Sequence, residues 1–186
     1  SYPKDRYEVI VVDNASTDST ALIAREWGAR VVEEPCKGVA RARQTGFLAA
    51  RGEIIASTDA DTAVSPDWLA HIDQVFRASD YTGGVYGPVY WPDGKPLERW
   101  MLEYPVTLIL GLSNRFGRSL WWGSNFAIRR EVFLAIGGFS TDMPAGEDTD
   151  LSLRVNRYYN IRYDPDLIAY SSSRRIKRGY VRLTYD

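Results

Sequence analysis

One cysteine and one histidine occur in 186 residues, and the formal net charge is only −1. A lone Cys36 excludes an internal disulfide framework and fits a reducing, cytoplasmic setting. It reads as a small loop residue after Pro35, not as a nucleophile. The lone His71 lies in a helical pattern, which excludes a His/Cys zinc cluster and leaves a serine triad without its base. A near-zero net charge provides no overall field for nucleic acid. The longest uncharged run, "YPVTLILGLSN" at 104–114, is too short to span a bilayer and reads as part of a buried or surface-docking helix. No signal-peptide pattern opens the sequence. There is no phosphate-binding Walker loop, and "GVARARQTG" lacks the spaced glycines of a dinucleotide fingerprint.

What is present points elsewhere. Six Trp and twelve Tyr fill cores, but such rings also stack on the apolar faces of sugars and bases. "YEVIVVD", 7–13, is β-branched and almost continuously apolar, as in a strand buried on both faces. "ALIAREWG" follows as a helix closed by Gly28, then "RVVEE" as a second strand. "GVARARQTGFLAARG", 38–52, is a second helix and "EIIAST" a third strand. "SPDWLAHIDQVFRA" is a third helix with Ser65 as its cap. "GGVYGPVYW" predicts one strand, 97–116 a helix, "SNFAIRR" a strand and "EDTDLSLRVNRYY" a helix. "IRYDPDLIAYSSS" predicts two short strands. The alternation predicts an α/β fold with a mostly parallel central sheet flanked by helices. No linker or repeat divides it, so one domain over 1–186 is expected.

The acids carry the chemistry. In open α/β sheets ligands bind beyond the carboxyl ends of the strands. Asp13 ends the first strand, and Asp59 and Asp61 end the third, so a parallel sheet would set them on one rim. Carboxylates there can accept hydrogen bonds from a base or ribose, or ligate a hard cation through oxygen. Taken singly, each is better explained as a capping or solvated residue than as a ligand; convergence on one rim favours a site. A third acidic group, Glu147 and Asp148 in "GEDTDL", opens a helix, where the dipole favours negative charge. A carboxylate so placed can take a proton from a hydroxyl.

"YEVIVVDNASTDST", "GVARARQTGFLAARGEIIASTDADT", "GSNFAIRREVFLAIGGF" and "GEDTDLSLRV", in this order, resemble a family 2 glycosyltransferase of the GT-A fold. The resemblance covers nearly the whole chain. It implies transfer of a sugar from a nucleotide-sugar donor to a saccharide or lipid-linked acceptor hydroxyl, with inversion at the anomeric carbon. It also implies a nucleotide-binding part over about 1–92 and an acceptor-binding part over about 93–186. Asp13 would bind the base, Lys37 the nucleotide and Asp59 the ribose. Asp61, with Asp59, would ligate Mn²⁺ or Mg²⁺ at the diphosphate. Asp148 would be the base, with Glu147 orienting the acceptor or supporting Asp148. Trp122, Gly123 and Asn125 would line the sugar and acceptor pocket, with Trp122 equally readable as a core residue.

Arg174 and Arg175, in the basic tail, are open to three readings: a solvated face, a lid over the diphosphate, or a contact with lipid headgroups at the inner face of the membrane. The family pattern also carries an opening strand between those ending at Asp13 and Asp59. The sequence shows no such strand, which leaves two strand edges unpaired; either the N-terminal strand is missing from this chain or another segment fills the gap, as a second copy could by strand exchange. An alternative function is a catalytically incomplete GT-A domain that only binds a nucleotide sugar or glycan. UDP-linked donors are the default expectation, with GDP- and dTDP-linked ones behind.

Overall fold

The computed structural model describes residues 2–92 and 119–172, with positions 105, 108, 109 and 111–113 between them. Arg174 and Arg175, and most of the helix expected over 97–116, lie outside the described residues. Three sheets form. β1 (Ile10–Asp13) and β2 (Arg30–Glu33) pair in parallel across α1 (Thr20–Glu26). The next elements are α2 (Val39–Ala49), β3 (Ile54–Ser57), β4 (Thr62–Val64), α3 (Trp68–Ala78), β5 (Thr82–Tyr86) and β6 (Val89–Tyr90). Then come β7 (Phe126–Arg129), α4 (Arg130–Ala135), α5 (Glu147–Asn156), β8 (Asn160–Tyr163) and β9 (Ala169–Ser171). The four-stranded sheet has the order β3-β7-β5-β8, and the three-stranded one β4-β9-β6.

The expected α/β class is what forms, but its two larger sheets are mixed, not mostly parallel. β7 inserts antiparallel between β3 and β5, while β5 and β8 run parallel. A strand buried on both faces shows the same apolar run in either direction, so pattern alone does not report polarity. The single strand expected over 83–91 breaks at Gly87 and Pro88 into β5 and β6, which enter different sheets. Pro88 has no N–H for a ladder, and a side chain on Gly87 would run into the Leu167 carbonyl. β4, which begins at Thr62 where the acidic motif ends, was not expected. Ser65 is no cap: α3 starts at Trp68, and the Ser65 N–H donates to the Ile168 carbonyl at 3.1 Å.

β1 also departs from expectation. All four of its residues are only half-buried, and among the described residues it pairs with β2 alone and β3 with β7 alone. The β1–β2 pair is held to the rest through α2. Gly46 packs on Val12 so closely that a side chain there would overlap it, while Phe47 enters the main core. Its ring centroid lies 5.0 Å from those of Phe133 and Phe139 and 5.8 Å from that of Phe126. Such pairs add roughly 0.5–1.5 kcal/mol each beyond area burial.

Arginines close three helix ends. Arg129 donates to the Phe76 and Ser79 carbonyls at 2.9 and 3.2 Å at the end of α3. Arg30 and Arg130 reach the Ala49 and Ala50 carbonyls after α2. Arg154 reaches those of Ile136 and Gly138 after α4. These satisfy carbonyls that a helix terminus leaves orphaned. Among the described residues no helix is long and apolar enough to cross a membrane.

Asn125 ties the two larger sheets together. It is fully buried, accepts from the Trp68 indole at 2.8 Å, and donates to the Pro88 and Leu167 carbonyls at 2.9 and 2.7 Å. Its amide serves the fold and its side chain lies fully buried, so Asn125 is turned into the core and away from the expected sugar contact. Asn125→Ala should lower stability by roughly 3 kcal/mol, because three buried partners lose their bonds at about 1 kcal/mol or more each. A shift of the urea midpoint at unchanged slope reports this; a loss under about 1 kcal/mol would contradict it.

Candidate active site

The candidate residues fall into two groups, both built on α2. The first surrounds its N-terminus. Asn14, just past β1, donates to the Glu34 and Cys36 carbonyls at 2.9 and 2.8 Å and accepts from the Gly38 N–H at 2.8 Å. One side chain thus lashes the end of β1 to the loop that carries Lys37. Asp13 accepts from the Ser16 N–H at 3.1 Å. Between them Ala15 takes a left-handed conformation, φ 54°, uncommon for a residue with a side chain. Asp13 and exposed Lys37 therefore flank a tightly tied rim.

The second group lies about 8 Å further along α2, at 1.5 Å per residue. There Arg43, almost buried, donates to Asp59 Oδ1 at 2.8 Å through one nitrogen and to Glu147 Oε1 through the other. Asp59 opens the turn after β3, closed by the Thr62 N–H on its carbonyl at 3.0 Å, with Asp61 inside the turn. Glu147 begins α5, whose cap Gly146 is left-handed, φ 81°. Its side chain is 4% exposed, so it faces Arg43 and not an open acceptor site. A carboxylate this deep needs a paired cation, since an isolated one costs several kcal/mol.

Asp148 is half-buried. Its Oδ2 accepts from the Gly123 N–H and its Oδ1 from the Thr149 N–H, both at 2.7 Å. Oδ1 also accepts from the Thr149 hydroxyl at 3.4 Å, so Oδ2 is the oxygen that keeps a lone pair for a hydroxyl proton. The Gly123 carbonyl accepts from Ser57 Oγ at 2.7 Å, and a side chain on Gly123 would overlap the Arg43 guanidinium. Trp122 lies half-buried beside it, its ring 5.4 Å from that of Trp91. Trp121, fully buried and stacked on Phe126 at 4.6 Å, is core.

Arg43 is the residue that sequence reading missed. One signal was available: it sits four positions before Phe47 on α2 and so shares a face with a core residue. A cation on an apolar face implies carboxylates waiting across it.

Among the described residues no three Asp, Glu, His or Cys side chains converge as a ready cation cage. Asp59 and Asp61 do offer hard oxygens on one turn. That donor set fits Mg²⁺ or Mn²⁺ held by one or two carboxylates, with phosphate oxygens and water completing the shell.

Asp150, one half-turn beyond Asp148, anchors α5. It accepts from Ser140 Oγ at 2.8 Å and Arg154 Nε at 2.9 Å. Burial alone would raise its pKa, but the Arg154 and Ser140 hydrogen bonds outweigh burial and the net shift is downward. The stability it confers is therefore present above the ordinary carboxylate value of about 4 and is lost as pH falls through the lower folded value. Urea midpoints of wild type and Asp150→Asn should differ above pH 4 and converge at more acid pH; a gap constant with pH would refute this assignment.

A family model described as glycosyl transferase family 2 matches residues 1–137. The chain is 30% identical over 185 residues to the probable glycosyltransferase YdaM of Bacillus subtilis, covering 91% of this chain and 44% of that one. It is 28% identical over 177 residues to glycosyltransferase AglE of Haloferax volcanii, covering 90% and 57%. Among solved structures, mannosyltransferase PcManGT from Pyrobaculum calidifontis, in complex with GDP-Man and Mn²⁺, superposes with a TM-score of 0.74. It is 29% identical, and the match covers 96% of this chain and 51% of that one. S. aureus TarS in complex with UDP-GlcNAc shares the fold, with a TM-score of 0.73 at 18% identity, over 93% of this chain and 51% of that one. The chain spans about half the length of the curated relatives it matches. On these matches the chain belongs to glycosyl transferase family 2 and has the GT-A fold.

Proposed function

We propose that the protein carrying this chain transfers a sugar, with inversion, from a nucleotide-sugar donor to an acceptor hydroxyl in glycan, glycolipid or cell-surface polysaccharide synthesis. The observation that carries this reading is the convergence, through Arg43, of the Asp59 turn with the α5 turn that presents Asp148. Donor-binding and proton-accepting carboxylates then border one space.

In this reading Asp13 and Lys37 meet the nucleotide at the rim tied by Asn14, and Asp59 meets the ribose. A divalent ion held by Asp61 and Asp59 would supply Lewis-acid stabilisation of the charge growing on the diphosphate. The acceptor oxygen attacks the anomeric carbon and forms the new glycosidic bond as the bond to the diphosphate breaks. Its proton passes to Asp148, and the nucleoside diphosphate leaves. The Gly123 and Thr149 N–H groups hold Asp148 still, so its orientation is set before the acceptor arrives. Trp122 is the platform on which the sugar would stack. The GDP-Man of the Pyrobaculum neighbour puts GDP beside UDP as a nucleotide to test first.

Thermal unfolding with GDP or UDP should show an upward shift that requires Mn²⁺ or Mg²⁺ and disappears with EDTA. Asp148→Asn should keep that shift and lower sugar transfer by about 10²-fold or more, the range for loss of a general base. Loss of nucleotide binding in Asp148→Asn would make its role structural. Binding without transfer in the wild type would favour the binding-only alternative.

A further inference from the structure

We infer that Arg43 is a positioning residue that couples donor occupancy to the placement of the base, a role that rests on the donor reading of Asp59 above. The guanidinium is divided. One nitrogen holds Asp59 Oδ1 at 2.8 Å, and the other holds Glu147 Oε1. Arg43 is 13% exposed and Glu147 4%, whereas Asp59 is 25% exposed. The Glu147 end of the bridge is therefore fixed in the interior, and the Asp59 end opens to the side where a nucleotide and cation would approach. Arg43 also lies against Gly123, whose N–H holds Asp148 Oδ2 at 2.7 Å. Besides Asp59, the guanidinium reaches the first turn of α5 in two ways: by ion pair to Glu147, and by contact through the Gly123 backbone to Asp148.

The cation and Arg43 compete for Asp59. When Mn²⁺ engages that carboxylate, the guanidinium yields its share of Asp59 and commits to Glu147, drawing the α5 turn and the Gly123 loop into one arrangement. Such coupling is reciprocal, because a change at either site must act on the other with the same free energy. Glu147 touches neither nucleotide nor cation in this scheme, yet it sets how firmly Arg43 holds Asp59. Removing its charge leaves Arg43 with Asp59 as its single carboxylate partner of the two, and the cation must then displace a tighter pair. An arginine suits this place because its planar fork serves two carboxylates at once, which a lysine ammonium does not do with the same geometry.

The test is calorimetric titration of GDP and of UDP into the full chain at several Mn²⁺ concentrations, for wild type and Glu147→Gln. The expected result is a rise of about fivefold or more in the half-saturating Mn²⁺, at the lower end of measured coupling between sites. The same Glu147→Gln change made on Arg43→Met should add nothing. Arg43→Met leaves Glu147 unpaired, so if it does not fold, the comparison runs between Arg43→Lys and Arg43→Lys/Glu147→Gln, where the coupling should also vanish. A merely structural Glu147 would lower the melting temperature and leave the Mn²⁺ dependence within twofold of wild type, which overturns the proposal. So does an equal Glu147→Gln effect with and without Arg43. If wild type binds neither nucleotide with Mn²⁺, the donor reading itself fails and this coupling fails with it; nucleotide binding with no Glu147 effect sinks the coupling alone.

Discussion

The structure turns on one buried contact across the chain: Arg43 on α2 meets Glu147 at the start of α5. The pair spans 104 positions of sequence, so Glu147 is compensated only once α2 and α5 have both docked. The same guanidinium meets Asp59, which fixes the turn after β3. Gly123 is small because Arg43 lies against it, and Asp148 is oriented because Gly123 is where it is. Core packing supports the arrangement from below: Phe47, one turn beyond Arg43, anchors α2 among Phe126, Phe133 and Phe139. Arg43 thus stands where the aromatic core ends and the polar site begins.

The element plan was largely legible because each helix and strand carries its own period and punctuation. Gly137 and Gly138, both with positive φ, end α4 where the "GG" stands, and the acids of "GEDTDL" do open α5. Strand direction was not legible, because β7 is apolar on both faces and reads alike forwards and backwards. Nor was the division at Gly87: the break depends on Leu167, eighty positions on, pressing against the backbone.

Within the site, motif positions were legible and partnerships were not. The acids at 59, 61, 147 and 148 stand where turns and helix starts expose carboxylates, a local property. Which of them faces outward depends on what packs behind. Glu147 turned inward because Arg43 waits there, and Asn125 turned inward because Trp68 and two carbonyls lacked partners. Asn125 follows Gly123 by two positions, yet the glycine borders the site and the amide lies in the core.

The smallest sheet has a consequence of its own. β1 and β2 form a two-stranded unit, half-buried and without a hydrogen-bonded neighbour among the described strands. Two strands alone are marginal in water, and cooperative units of a protein open with separate free energies. The β1–β2 unit is thus the part that should open first, with amides exchanging ahead of those in β7 and β5. Asp13 and the Asn14 clasp belong to it, while Asp59 and Asp148 rest on the firmer body. In the reading proposed above, a nucleotide would be met by a yielding grip on its base and a firmer one on its phosphates, and selectivity for the base would follow from how much order each base restores.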